Sequence, residues 1–263
     1  MTSARTSTLA TLRGRIERIE APTDAHALRR VALGHAGADA VLRGGLARAA
    51  VHEVFSEGHQ GATASGFIAG LAGRLMARRP LVWVRQDFSD IESGALSMSG
   101  LAELGLDPRL LVTVRAADVD SALRTAADAL ACDALGAVVL EVFGEARQLD
   151  LVASRKLTLA TQASGVTALL LRMAATPQPS TAETRWIVRA AHSPPGAPFG
   201  AWGAPMFDAQ LVRNRHGPVG RWIMEWKCDE CLFFEPTAYP QPVAAAPAHR
   251  PHQARIGEQR RAG

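Results

Sequence analysis

The chain is poor in aromatic residues, in cysteine and in long apolar runs, and each shortage narrows what it can be. Aromatic residues make up 5% of the 263 residues, which argues against a base-stacking surface for single-stranded nucleic acid. Three cysteines without a regular framework are typical of a reducing compartment. No run approaches the roughly 18 apolar residues that a membrane helix needs, and no signal-peptide segment is found. We therefore expect a cytoplasmic protein that makes no membrane contact.

Core-forming residues, by contrast, are plentiful. Hydrophobic residues make up 48% of the sequence, which is ample for a sizeable core. The formal net charge is +4 and the isoelectric point is about 9.5, mainly because of arginine. This small and dispersed excess mildly favours an acidic partner, such as nucleic acid or an acidic protein surface.

Strand and helix patterns alternate along most of the chain. Buried strands are predicted at residues 51–55, 81–84, 110–114, 137–141 and 167–171, with helices from 62, over 97–105, 121–132 (capped by Asp120) and 149–164. This alternation predicts an α/β fold with a mostly parallel, doubly wound sheet. Further strands at 185–189, 207–213 and 221–227 predict an antiparallel C-terminal extension. We divide the chain into an N-terminal helix and linker (1–33), a core domain (34–235) and a disordered, basic, Pro/Ala-rich tail (236–263).

The stretch 51–79 combines a buried strand, a glycine-bearing loop and a helix, which are the parts of a phosphate-binding loop. Two alignments with the Gly-Lys-Ser/Thr pattern are possible. The first runs from Ser56 through Gly58 to Gly61, Ala62 and Thr63, and the second matches Gly61, Gly66 and Phe67. In both, the lysine that would contact the outer phosphates is missing. The alternative is an ordinary strand–loop–helix unit whose small residues let the helix pack close to the sheet.

Two polar clusters lie towards the C-terminus, and each has a functional and a structural interpretation. Cys228 and Cys231 form a CxxC pair, but no second pair completes a zinc site and the motif ends a strand, so neither metal binding nor thiol activation is expected. Basic residues surround a predicted hairpin turn, and they could contact phosphates or an acidic partner or could simply be solvated. They are Arg213, Arg215, His216 and Arg221.

The two ends of the chain carry possible interaction segments. Residues 8–20 predict a helix with an apolar stripe that docks on its own domain or on another protein; the stripe is Leu9, Leu12, Ile16 and Ile19. Arginines recur in the tail, which is either a recruitment peptide or, as we favour, an inert solubilising segment. They are Arg250, Arg255, Arg260 and Arg261.

The order of these elements over about residues 9–235 resembles the RecA-like P-loop NTPase core. More closely, it is similar to the ImuA family, the RecA-related component of the bacterial damage-inducible mutagenesis cassette. The resemblance lies in VHEVF (51–55), Gly66-Phe67 at the helix, AVVLE (137–141) and, most specifically, LVRNRHGPVGRWIMEW (211–226).

In RecA-like ATPases the corresponding residues have defined roles. The resemblance implies that residues 56–63 would cradle phosphate, that Glu141 would stand where an acid supports magnesium, and that Gln86 (or Asp87) would stand near the water-activating glutamate. Without the lysine, the charge of the transferring phosphate is not neutralised, and a glutamine cannot accept the proton of the attacking water. We expect no catalytic residue, no metal and no required cofactor; ATP could bind but is not expected to be hydrolysed.

The resemblance also implies a function through partners. The stretches that correspond to RecA's DNA-contacting loops are short (144–148 and 176–182), so direct DNA contact is left open. The implied role is that of a non-catalytic accessory subunit in SOS-induced, error-prone translesion DNA synthesis. Its partners would be ImuB and a damage-inducible DnaE-type polymerase, with RecA as a further candidate; the N-terminal helix of RecA-like proteins makes such contacts.

Two other functions remain open at this point. One is a residual DNA-dependent ATPase of the RecA type. The other is a SulA-like inhibitor of cell division, which shares a degenerate RecA-like core. SulA-like chains are shorter and lack the C-terminal hairpin and basic tail found here.

Overall fold

A computed structural model describes residues 29–56, 60–194 and 203–236. The predicted helix at 8–20, with Leu9, Leu12, Ile16 and Ile19, and the tail beyond residue 236 lie outside the described residues. The helices are α1 (Ala36–Val41), α2 (Gly61–Met76), α3 (Asp87–Ser93), α4 (Met98–Glu103), α5 (Val119–Leu130) and α6 (Leu151–Ser164), with a 3-10 turn at Pro108–Leu110. The strands are β1 (Arg30–Val31), β2 (Leu46–Ala47), β3 (Val51–Ser56), β4 (Leu81–Gln86), β5 (Leu111–Ala116), β6 (Ala137–Phe143), β7 (Thr167–Met173), β8 (Thr184–Ala190), β9 (Met206–Asn214), β10 (Gly220–Lys227) and β11 (Leu232–Phe234).

Nine of these strands form one sheet in the order β11-β10-β9-β8-β3-β7-β6-β4-β5. The six strands from β8 to β5 are parallel to one another. Strands β9, β10 and β11 continue the sheet in antiparallel fashion. The predicted mixed α/β fold, with a mostly parallel sheet and a C-terminal antiparallel extension, is therefore confirmed.

Helices cover both faces of the parallel part, which explains why its strands are continuous apolar runs. On one face, α2 packs with Val54, Leu171 and Trp186 in a core that also includes parts of α1 and α4. On the other face, α5 and α6 contribute Ala126 and Leu157 to a second core. Among the described residues no helix is long and apolar enough to cross a bilayer.

Helix α2 is the central packing element of the first core. Phe67 is fully buried, and its ring centroid lies 5.7, 5.5 and 5.2 Å from those of Trp186, Phe207 and Phe233. Gly70 permits the close approach, because a Cβ built there would lie 2.8 Å from Phe233 Cζ. The loss of helix propensity at this glycine, about 1 kcal/mol relative to alanine, is thus compensated by aromatic packing.

The helix ends differ in detail from the prediction. The N-cap of α5 is Asp118, whose carboxylate accepts a hydrogen bond from Ser121 N, and not Asp120. Next to the predicted boundary between residues 1–33 and the core domain, β1 pairs with β2 and Leu33 is fully buried. Helix α3 was not predicted, since its seven residues lack an apolar periodicity.

Candidate functional site

The carboxyl ends of the parallel strands meet at one edge of the sheet, where open α/β sheets bind their ligands. Strand β3 ends there with Ser56, β4 with Gln86, β6 with Phe143 and β7 with Met173. The first turn of α2 also lies at this edge. We call it the loop edge.

The start of α2 agrees with the first of the two alignments. The helix begins at Gly61, so Ala62 and Thr63 occupy its first turn, and Ala62 is exposed. Gln60 precedes the helix, and its Oε1 accepts a hydrogen bond from Ala190 N at 2.7 Å. Ser56 is buried, and its Oγ has no hydrogen-bond partner among the described residues. Gly58 lies outside them. The position that the first alignment assigns to lysine thus has the methyl side chain of Ala62.

The second alignment is incompatible with a ligand site. Gly66 and Phe67 lie inside α2, beyond its first turn. Phe67 is fully buried among aromatic rings and faces the core. The interpretation of these two residues as part of a phosphate-binding loop is therefore wrong, because their side of the helix packs against the sheet.

An apolar sulfur lies against the first residue of α2. A Cβ built on Gly61 would lie 3.2 Å from Met173 Sδ. Ser93 Oγ lies 3.7 Å from the same sulfur. Phe88 and Phe143 form a ring pair at 5.6 Å nearby on α3 and β6. The loop edge thus has an apolar lining beside the helix start.

Glu141 lies within β6 and is fully buried. Arg85 on the adjacent strand β4 grips both of its oxygens: Nε donates to Oε2 at 2.8 Å and Nη2 donates to Oε1 at 2.9 Å. Trp83 Nε1 also donates to Oε2 at 2.8 Å. The two-pronged geometry is the strong form of an arginine–carboxylate pair. Glu141 is therefore a satisfied structural acid whose negative charge is balanced inside the protein.

Arg85 also fastens α3 to the sheet. Its Nη1 donates to Asp90 Oδ1, and its Nη2 donates to Gly94 O at 3.0 Å. A single buried guanidinium thereby links β4, β6 and the segment that follows β4. We call Arg85, Glu141, Trp83 and Asp90 the arginine network.

The two residues considered for water activation are engaged as well. Gln86 Oε1 accepts a hydrogen bond from Phe143 N at 3.3 Å. Asp87 accepts from Arg115 Nε at 2.9 Å. Both lie at the loop edge, as the sequence suggested, but each has a partner from a neighbouring strand.

The basic cluster at the hairpin lies elsewhere. The turn between β9 and β10 is at the opposite edge of the sheet, because β9 is antiparallel to β8 and Asn214 pairs with Thr184. Arg221 Nε donates to Asp208 Oδ1 at 2.7 Å, and this contact lowers the pKa of Asp208. His216 Nε2 lies 3.5 Å from Glu183 Oε2. Arg213 is half-buried and Arg215 is exposed. The structure does not bring this cluster to the loop edge.

The CxxC pair is a pair of free thiols. Cys231 Sγ contacts Cys228 O at 3.3 Å and Gly105 O at 3.7 Å. Burial raises the pKa of both thiols, which disfavours the reactive thiolate. Within residues 29–56, 60–194 and 203–236, no group of three metal-ligating side chains is positioned to hold an ion.

Sequence reasoning missed two residues that shape the loop edge, Arg85 and Met173. An arginine at the end of an apolar strand, with a buried acid on another strand, is a usable signal for the first. Pairing it with Glu141 requires knowing that β4 and β6 are neighbours. The position of Met173 depends on β7 lying next to β3.

Comparison with known proteins gives one relative in two strains. The chain is 30% identical to protein ImuA of Caulobacter vibrioides, strain NA1000 / CB15N, over 69% of this chain and 77% of the relative. The protein of the same name from strain ATCC 19089 / CIP 103742 / CB 15 gives the same values. No family model matches the chain.

Proposed function

The chain belongs to the ImuA family, and from this premise we propose that it is a non-catalytic, RecA-like accessory subunit of damage-inducible, error-prone translesion DNA synthesis. It acts through protein–protein contacts. ImuB and a damage-inducible DnaE-type polymerase are its partners in this proposal, and RecA is a further candidate. The protein supplies surfaces on a nucleotide-binding type of fold and does not use a nucleotide.

The RecA-like assignment is supported by where the loop and the acid lie in the sheet. Strand β3 leads into the glycine-bearing loop and α2, and β6 carries the acid. Strand β7 separates them, and β4 lies beyond β6. Both features therefore reach the same edge from parallel strands, as the resemblance to the RecA-like core requires.

One observation carries the non-catalytic part of the proposal: Glu141 is fully buried and both of its oxygens are bonded by Arg85 and Trp83. An acid that supports magnesium must turn an oxygen towards the metal or its waters. Freeing one here would leave the buried Arg85 guanidinium partly uncompensated, which is costly. The residues at this place do not fit a magnesium ion.

The helix start supports the same conclusion. Ala62 provides no cation for the outer phosphates, and the Met173 thioether lies against Gly61. Phosphoryl transfer depends almost wholly on positioning and on neutralising charge. Neither a methyl group nor a thioether neutralises the charge of a phosphate.

An ATP-hydrolysis assay on the full-length protein, with magnesium and with or without single-stranded DNA, tests the proposal. We expect no turnover above that of a blank. Turnover that depends on the protein and is lost in Thr63→Ala, while its thermal unfolding is unchanged, would overturn the non-catalytic assignment.

A cellular test addresses the accessory role. In a strain whose own ImuA gene is deleted and which is complemented by this chain, Thr63→Ala and Gln86→Ala should leave damage-induced mutation frequency unchanged. Loss of induced mutation with either variant, at normal protein level, would show that loop-edge chemistry is needed. Failure of the wild-type chain to bind ImuB in a co-purification would contradict the partner assignment.

A further inference from the structure

The outer face of α6 is unusually apolar for a helix that faces solvent. Leu151, Val152 and Leu159 are 53%, 61% and 53% exposed, whereas a helix at a protein surface normally places polar residues there. Arg155 and Lys156 lie between them and are also exposed. These five residues form what we call the α6 surface, and they line a shallow groove of about 260 Å³.

A second groove continues this surface. It lies between α5 and α6, has a volume of about 390 Å³ and shares Val152 and Lys156 with the α6 surface. Leu123, Ala127 and Leu157 form its apolar wall. The two grooves share residues and together form one largely apolar track along α6.

The charge is positive on the α6 surface, and over the whole track the positive charges exceed the negative ones by one. Helix α6 contains Arg155 and Lys156 and no acidic residue, and Arg124 of α5 lines the shared groove. The adjoining groove also has two acids, at the N-terminal ends of the two helices. Asp150 caps α6 through Ala153 N at 2.8 Å, and Asp120 accepts from Gln148 Nε2 at 3.4 Å.

This charge pattern discriminates among the possible occupants. Residues 8–20 of the chain contain three arginines and two glutamates, and residues 237–263 contain four arginines and one glutamate. Both segments would bring further positive charge to the track. A second copy docked through the same surface would place Arg155 and Lys156 opposite their own counterparts, which is unfavourable.

We propose that the α6 surface and the adjoining groove form the docking site for an amphipathic helix of another protein, in which acidic residues flank an apolar stripe. The apolar stripe covers Leu151, Val152 and Leu159, and its acids meet Arg155, Lys156 and Arg124. Helix-in-groove recognition of this kind combines apolar anchors with charges at the rim. Although the proposed function also invokes protein partners, this inference rests on α5 and α6 and holds whether or not the loop edge turns over ATP.

Two designed peptides and the full-length protein provide the test. Both peptides are helices of about four turns with the same leucine stripe; one is flanked by glutamate and the other by lysine. Fluorescence anisotropy should show binding of the glutamate peptide and little binding of the lysine peptide. Leu159→Glu should weaken the glutamate peptide at least about tenfold, and the double variant R155E/K156E should reverse the preference.

A matched control separates the surface from general stickiness. Val219, 58% exposed in the turn between β9 and β10, is changed to Glu and should leave binding unaltered. Unaltered thermal unfolding of each variant shows that the fold is intact. Equal binding of both peptides, or an equal loss in Val219→Glu, would overturn the proposal.

Two further outcomes would assign the surface to another occupant and likewise overturn the proposal. The first is displacement of the glutamate peptide by a peptide of residues 8–20, which would indicate that the chain covers α6 itself. The second is a concentration-dependent dimer in light scattering that Leu159→Glu abolishes. Neither result would bear on ATP hydrolysis, so failure here and failure of the proposed function are distinguishable.

Discussion

Helix α2 meets two different environments along its length. At its start, Gly61 and Ala62 meet an exposed loop edge and the thioether of Met173. Further along the helix, Phe67 and Gly70 pack into a buried aromatic cluster. The first region has a methyl side chain at the position that the first alignment assigns to lysine. The second has dense packing that needs no ligand.

The difference shows that the stability of this fold and the chemistry of its loop edge are separable. In a close-packed core, a change in volume of even one methylene group affects stability. The body of α2 therefore tolerates little change. The loop edge has no comparable constraint from packing, because Ala62 is exposed. The residue at position 62 can therefore change while the packed sheet is kept.

The largest effect is expected from the packed body of α2. Phe67→Ala removes a ring that touches three others, and it should lower the free energy of unfolding by roughly 3–5 kcal/mol. The midpoint of thermal unfolding should fall by roughly 6–20 °C for a domain of this size. As a matched control, Phe88→Ala at the loop edge, where the ring is 46% exposed, should cost under about 1 kcal/mol. Equal losses would erase the contrast between the two regions.

The arginine network tests whether the buried acid of the loop edge is structural. Arg85→Met leaves the Glu141 carboxylate buried with Trp83 as its remaining donor within the network, and we expect a loss of about 3 kcal/mol. Glu141→Gln should cost less, since the amide oxygen still accepts and Arg85 keeps Asp90 and Gly94.

A double variant sharpens this result. R85M/E141L replaces both charges by apolar side chains and should recover much of the loss, as buried ion pairs often do. Chemical denaturation of the wild type, R85M, E141L and R85M/E141L gives the coupling free energy directly. Additive losses would mean that the pair does not act as a unit.

A smaller, pH-dependent effect on stability is expected from His52 in β3. His52 is fully buried between Thr184 Oγ1 and Ala47 O, each at 2.8 Å, and burial lowers its pKa to about 4. In the unfolded chain, His52 therefore takes up a proton as the pH falls below about 6.5, while in the folded protein it does so only near pH 4. Stability is retained above the unfolded pKa and is lost as the pH falls through this window.

The size of this loss can be measured by urea denaturation. Between about pH 7.5 and pH 5, His52 should contribute a loss of about 2 kcal/mol. His52→Gln, although less stable at neutral pH, should show a correspondingly weaker dependence on pH. An unchanged dependence in the variant would assign the acid sensitivity to other groups.

Much of the fold could be predicted because its strands and helices have recognisable local sequence patterns. Buried parallel strands are apolar runs, and α2 and α5 have apolar residues at helical spacing. Strand ends were predicted too short where polar residues continue the ladder, as at Arg85 and Arg172. Local patterns do not contain the strand order, which brings residues far apart in the chain together.

The strand positions of the candidate site residues could be predicted from the sequence, but their side-chain contacts could not. Gln86 ends β4 at the edge where the parallel strands end, and Glu141 lies two residues before the end of β6. Nothing local shows that Glu141 is held by Arg85, 56 residues away, or that Met173 lies against Gly61. The choice between the two loop alignments likewise required the start of α2, which excludes Phe67.

The smallest effect on stability is expected from restoring the missing cation. Ala62→Lys adds a side chain at an exposed position in the first turn of α2, and it should change the free energy of unfolding by less than about 0.5 kcal/mol. It should also leave ATP hydrolysis at the level of the blank, because Glu141 stays bonded to Arg85 and Gln86 cannot accept a proton. Isothermal titration with ATP and magnesium, together with a hydrolysis assay, checks both statements. If the single lysine produced turnover, the loop edge would be an intact active site lacking one charge, and the contrast between the two ends of α2 would reduce to one substitution.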